Sequence, residues 1–247
     1  MRINYIVAVL TLCVVLGTGC VQMSGKVSDK VSDDIESVRL RADQGDAAAQ
    51  NSLGDMYYDG DGVEQDDARA VELYRKSATQ GNLDGQVNLA KVYYRGRGVE
   101  QDCVEVIKWL EKAAVQGHAR AQSNLAVMYM EGHGVKQDYA KAVEWFEKSV
   151  AQGHARAQSN LAVMYIEGHS VKQDYAIGRK LSEQAAAQGD DVGQNNLGMI
   201  YYHGYGVKQD YAKAAEWFKE AAAQGNVDAQ NNLDRLYAEH EHYIKRR

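Results

Sequence analysis

Downstream of Gly117, small and apolar side chains fall at Ala121, Leu125, Met128 and Tyr129, three or four residues apart. Apolar positions at that interval mark one face of an α-helix. A short segment around Gly132 and Gly134 interrupts the pattern. It resumes with Ala142, Val143, Trp145, Phe146, Ser149 and Val150. Gly117 to Gly153 therefore reads as helix, loop, helix.

The same pattern recurs along the chain. Gln-Gly ends at Gly45, Gly81, Gly117, Gly153, Gly189 and Gly225, always 36 residues apart. Eight residues after each glycine stands a leucine (Leu53, Leu89, Leu125, Leu161, Leu197, Leu233), and four further on a tyrosine (Tyr57, Tyr93, Tyr129, Tyr165, Tyr201, Tyr237). Gly-x-Gly follows at Gly60/Gly62, Gly96/Gly98, Gly132/Gly134 and Gly204/Gly206, with Ser170 replacing the second glycine once. Gln-Asp then ends at Asp66, Asp102, Asp138, Asp174 and Asp210. The stretch QGHARAQSNLAVMY is present word for word at Gln116–Tyr129 and Gln152–Tyr165. Repetition at a fixed period signals architecture before chemistry.

The punctuation has physical causes. Gly117 suits the left-handed position beyond a helix end, where a β-carbon clashes. Asp46, Asn82, Asp190 and Asn226 directly follow that glycine and can cap the next helix, and Asp138 and its equivalents can cap the second helix. The chain has no proline, so glycine and capping residues mark every boundary. One helix pair cannot bury its apolar face alone, whereas stacked pairs can. The predicted fold is all-α, an α/α superhelical solenoid of 36-residue helix-loop-helix repeats. Small residues at Ala49, Gly85, Ala121, Ala157, Gly193 and Ala229 let neighbouring helices approach closely. Residues 33–44 read as a lone second helix that caps the amino end, 45–238 as five full units and a half, and 239–247 as a polar tail. The fourth unit departs from the others, with Gly178 and Ser182 where the third has Ala142 and Phe146. A glycine inside a helix costs about 1 kcal/mol relative to alanine, so this unit is expected to be the softest.

The order A-x-x-G-x-x-x-A-Q-x-x-L-(G/A)-x-M-Y-x-x-G-x-G-V-x-x-D-x-x-K-A-x-x-W-(F/Y) resembles the Sel-one-like repeat (SLR) family, a relative of tetratricopeptide repeats. Both the 36-residue period and the glycine loop favour it over the tetratricopeptide repeat, whose period is about 34. The resemblance spans roughly Asp33 to Ala238. It implies an adaptor or binding scaffold, usually without catalysis, whose first helices line the concave side.

Length, charge and cysteine narrow this further. The repeats fill most of the 247 residues and leave no room for a separate enzyme domain. A net charge of −6 with dispersed basic residues argues against nucleic acid. Residues 1–19 have a positive start and an apolar run, Tyr5–Leu16, too short for a span of about 20 residues and suited to a signal peptide. The run leads to Leu16-Gly17-Thr18-Gly19-Cys20, which resembles a bacterial lipobox with Cys20 as the lipidated residue and Gly17 where leucine is usual. Ordinary signal cleavage and simple secretion is the alternative. Residues 20–32 would then be the lipidated cysteine and a polar tether, and Val21 implies, by the same resemblance, outer-membrane sorting.

Only Cys103 remains in the body of the array, at the place of Tyr139 and Tyr211, and reads as a half-buried packing residue. Cysteine-rich relatives that bind or hydrolyse β-lactams carry a bridged pair in each repeat, and no such pair exists here.

His118 and His154 occupy the cap position, and His133, His169 and His203 fall in or beside the glycine loops of different units, away from metal-ligand spacing. His240 and His242 belong to the tail, where they read as solvated, with a weak metal site as the alternative. No metal, cofactor or catalytic nucleophile is expected, since no paired-cysteine motif, nucleophile elbow or phosphate loop occurs.

Asn88, Asn124, Asn160, Asn196 and Asn232 form a ladder before the repeated leucine. They read either as hydrogen bonds between neighbouring helices or, at Asn88, Asn124, Asn160 and Asn196, as contacts to a bound peptide backbone. On a helical wheel the residues opposite Leu125 and Met128 are Arg120, Ser123 and Val127. Their equivalents are Asp84, Val87 and Lys91, then Arg156, Ser159 and Val163, then Val192, Asn195 and Met199. Val87, Val127, Val163 and Met199, flanked by Lys91, Arg120 and Arg156, are expected to form an exposed stripe that takes an acidic extended or helical segment of a protein partner. The leading expectation is a non-enzymatic, exported and membrane-tethered interaction scaffold. Host-cell contact and a cell-wall or β-lactam enzyme are the alternatives.

Overall fold

The computed structural model describes residues 35–244, with side chains to residue 240, and every regular element among them is helical. The signal segment, Cys20 and the tether lie outside the described residues. Helix α1 (35–43) stands alone at the amino end. First helices follow as α2 (Ala47–Asp59), α4 (Leu83–Arg95), α6 (Ala119–Glu131), α8 (Ala155–Glu167) and α10 (Asp191–His203). They alternate with second helices α3 (Asp67–Thr79), α5 (Cys103–Val115), α7 (Tyr139–Val150), α9 (Tyr175–Ala187) and α11 (Tyr211–Ala223). The last first helix, α12 (Val227–Ile244), continues through a kink at His240. The tail expected from Glu239 is therefore helical at its start, and His240, rather than being solvated, stacks on Tyr211 at 4.0 Å.

Each boundary is closed by the residues the repeat preserves. Asp46, Asn82, Asp190 and Asn226 accept hydrogen bonds from the backbone N–H three residues on, at 2.8–2.9 Å. His118 and His154 do the same through Nδ1 at 3.2 Å. The repeated Gln-Asp has a double role. The Asp side chain caps the second helix, while its own N–H donates to the carbonyl of the repeated tyrosine, as from Asp138 to Tyr129 at 2.8 Å. The Gln side chain donates to the next carbonyl, as from Gln137 to Met130 at 2.9 Å. A helix end leaves its last carbonyls without internal partners, and these two residues satisfy them in every full unit. The second loop glycine has a steric cause: a β-carbon on Gly134 would lie 2.6 Å from the Cys103 carbonyl oxygen.

Between units the small residues act as expected. Ala121 and Ala157 are fully buried. A β-carbon on Gly193 would sit 2.7 Å from that of Ala185, so the first helix lies directly on the preceding second helix. A glutamine ladder ties the same layers together. Gln80, Gln152, Gln188 and Gln224 donate to Gln50, Gln122, Gln158 and Gln194 at 2.7–2.8 Å. Gly178 also has a steric cause that its helix cost does not reveal. Its missing β-carbon leaves room for Ile166, whose Cγ1 would lie 2.6 Å from it, and the buried Ser182 hydroxyl donates to the Gly178 carbonyl at 2.9 Å. Glycine there answers to a larger neighbour on the facing helix.

First helices also meet one another, α2 with α4, α8 with α10 and α10 with α12, while second helices pack mainly against first helices. The first helices thus form the inner layer. Neither α4 with α6 nor α6 with α8 meets as closely.

Candidate interaction face

The stripe expected along the first helices divides into three rows. The first row, Asp84, Arg120 and Arg156, is exposed. The middle row is not. Val87 is 3% exposed and Ser123 and Ser159 are buried, so Val87 is a core side chain, not a contact residue. A wheel treats a helix as isolated, but in the array the next unit covers this line: Ser159 donates to Asp190 of the following unit at 2.7 Å. In the third row Lys91, Val127, Val163 and Met199 are partly exposed and face the inner side.

The charged residues also differ from expectation. Arg156 is tied to the next unit, with Nε 2.9 Å from Asp190 and Nη2 2.5 Å from Asp191. Burial acts to raise the Asp191 carboxyl, but the Asn226 hydrogen bond and the Arg156 guanidinium outweigh it and hold the group below the usual carboxylate range. Arg156 is therefore a junction residue. Among the described residues Arg120 has only Asp84 of the preceding unit, at 3.9 Å, and stays available. Lys91 sits over the Tyr58 ring at 4.1 Å, and Arg95 donates to the Tyr58 hydroxyl at 2.8 Å. Burial tends to raise the Tyr58 phenol, yet these cations together with Arg97 lower it.

The asparagine ladder splits. Asn88 donates to Asn51 and Asp55 at 3.0 Å, Asn196 to the Ser159 carbonyl at 3.0 Å and Asn232 to Asn195 at 3.1 Å. These are bonds between neighbouring helices, which removes Asn88 and Asn196 as peptide contacts. Asn124 is exposed and Asn160 half-buried, and neither makes a hydrogen bond among the described residues.

Two hollows gather what remains available. One, of about 280 Å³, lies between α4, α5 and α6 and is lined by Lys91, Tyr94, Arg95, Val106, Leu110, Asn124, Val127 and Met128. The other, of about 600 Å³, spans α8, α10 and α12 and includes Val163, Ile166, Asn195, Met199, Tyr205 and Asn231. The third-row candidates thus fall into two separate depressions on one face.

Five consecutive segments, 47–82, 83–118, 119–154, 155–190 and 192–226, match the Sel1 repeat. The chain belongs to the Sel1 repeat family. A protective antigen present in uropathogenic Escherichia coli strains, which displays an SLR fold, is 36% identical with a TM-score of 0.71. That match covers 82% of this chain but only 44% of the antigen structure. A Sel1 repeat protein from Oxalobacter formigenes is 34% identical with a TM-score of 0.73, covering 78% of this chain and 77% of that one. The immunity protein Pa5087 from Pseudomonas aeruginosa shares the fold at 24% identity and a TM-score of 0.52, over 72% of this chain and 68% of that one. No curated protein matches the chain. Sel1 repeat proteins are generally non-enzymatic and mediate protein–protein interactions.

The other candidate side chains in this Sel1 array have structural partners. His169 stacks on Tyr139, at the start of the preceding unit's second helix, at 4.7 Å, and His203 stacks on Tyr205 of its own glycine loop at 4.9 Å. Cys103 is a half-buried free thiol packed against the core. Among the described residues no cluster of three His, Cys, Asp or Glu is placed to hold a metal. Sequence reasoning missed Arg95. The signal for it was the place of Arg95 on α4, one turn beyond Lys91 on the same face.

Proposed function

We propose that this Sel1 array is an exported interaction scaffold, held at a membrane by lipid on Cys20, that grips a partner protein across its first-helix face without catalysis. The observation that carries the reading is the pair of hollows on the inner layer, both lined by apolar side chains, the first edged by Lys91, Arg95 and the unbonded Asn124 and the second by the acids Glu167 and Asp228. Apolar depressions with a few polar groups on the rim are where interfaces place their anchoring side chains. A photo-crosslinking residue at Asn124 or Met199 should capture a partner in cells, whereas one at Val115, which is 72% exposed on the outer layer, should not. Capture from Val115 alone would overturn the reading. For the anchor, a fatty-acid analogue should label the wild type and not Cys20→Ala, and equal labelling of both contradicts it. Nitrocefin turnover by the purified chain would contradict the absence of catalysis.

Host-cell contact is a second reading, favoured by the 36% identity to the uropathogenic E. coli antigen. It predicts that the purified array binds host-cell surfaces and that Val127→Asp or Met199→Asp reduces the binding.

A further inference from the structure

We propose that the hollow between α4 and α6 anchors one apolar side chain of a partner segment that carries an acidic residue beside it. This rests on the first-helix face being the interaction face, and adds the chemistry of what enters it. At about 280 Å³ the hollow lies below the roughly 300–1,000 Å³ of sites that enclose small molecules, so its size suits one side chain. Val106 and Leu110 of α5 and Val127 and Met128 of α6 give it apolar walls from two helices.

The charge at its edge points to the flanking residue. Lys91 and Arg95 form no ion pair among the described residues, although the chain has 34 acidic against 28 basic side chains. Both are instead steadied by one tyrosine, Lys91 over the Tyr58 ring and Arg95 at its hydroxyl. Arg95 uses Nη1 for that bond, which leaves guanidinium N–H groups for a carboxylate. Cations already held in place lose little freedom when a carboxylate arrives, and the resulting hydrogen bonds are charge-assisted. Asn124, on α6, has a donor and an acceptor free for the segment's backbone. A basic segment meets like charge at the same edge.

Random nonapeptides displayed on phage, selected against the full array, test this. Enriched peptides should place aspartate or glutamate next to a large apolar residue. A labelled peptide from that pool should bind Asn124→Asp, Val127→Asp and Lys91→Glu at least about tenfold more weakly than wild type. Asn124→Asp is the decisive variant, because its side chain is exposed and bonds to nothing, so the fold has no stake in it. No enrichment, a basic or charge-free consensus, or unchanged binding to Asn124→Asp overturns the proposal. If binding ignores these three changes but is lost in Met199→Asp, the α4–α6 anchor fails and the interaction face stands. If only Val115→Asp on the outer layer abolishes binding, both fail.

Discussion

The two copies of QGHARAQSNLAVMY fold alike and do different work. In the second copy Ser159 donates to Asp190, and Arg156 grips Asp190 and Asp191. In the first copy the corresponding places of the next unit hold His154 and Ala155. The Nδ1 atom of His154 is committed to capping α8. Among the described residues, Ser123 is left buried with no partner for its hydroxyl, and Arg120 keeps only the distant Asp84. Identical residues therefore make a polar clasp at one junction and leave a free cation at the other. What a Sel1 repeat does with its exposed row depends on the cap of the repeat that follows.

The largest effect should come from undoing the clasp. Asp190→Ala removes the α10 cap, strands the buried Ser159 hydroxyl and frees Arg156, and should cost about 2–3 kcal/mol in urea unfolding. Amide exchange should quicken most in α9 and α10. A loss of a few tenths of a kcal/mol would show that the clasp is ornamental.

Next comes the first position at which the copies diverge. Ile166 faces Gly178 in unit four, and the residues 36 places earlier, in unit three, are Met130 and Ala142. Gly178→Ala gains about 1 kcal/mol of helix propensity but overpacks against Ile166, at a cost of about 1–3 kcal/mol. The single change should be neutral to destabilising. Adding Ile166→Met, which restores the unit-three pair, should recover the helix gain. If Gly178→Ala alone stabilises the array, the close approach to Ile166 is not limiting.

Converting the open junction into the clasped one is a smaller effect. His154→Asp keeps the cap and offers Ser123 and Arg120 an acceptor, which should stabilise by about 1 kcal/mol. The same variant tests the pH response. Burial is the main cause that lowers His154 below its ordinary value. Arg120, Arg156 and His118 add to it, and Asp190 opposes. The folded chain then binds its proton less readily than the unfolded chain. The stability tied to neutral His154 is complete above about pH 6.5 and is lost as the pH falls below that value. Thermal melts should show acid sensitivity between pH 7.5 and 5.5 that shrinks in His154→Asp. An unchanged pH profile would assign that sensitivity elsewhere.

This comparison also shows where a sequence speaks clearly. Period, caps and the close approach at Ala121 or Gly193 are legible because each is a local rule that repeats until chance is excluded. The role of the Gln-Asp pair was less legible, since loop closure needs the carbonyl positions at the end of the preceding helix. Burial of Val87, Ser123 and Ser159 escaped the helical wheel because the covering groups come from a neighbouring unit; for Ser159 the group is a cap 31 residues downstream. The reason for glycine at 178 was not legible, because Ile166 lies across the helix pair rather than beside it in the chain. The two hollows were half visible. Lys91, Val127, Val163 and Met199 came from the wheel, but the α4–α6 hollow also needs Val106 and Leu110, which α5 brings from another element.

The most direct test of the central claim is the paired charge reversal of the duplicated arginine. Arg156→Glu should lower unfolding stability by about 2 kcal/mol, because it sets a third carboxylate against Asp190 and Asp191. Arg120→Glu should leave stability within about 0.5 kcal/mol of wild type while reducing partner capture by a crosslinker at Asn124. If Arg120→Glu unfolds the array as readily as Arg156→Glu, or leaves capture untouched, the two copies do the same work and the account is wrong.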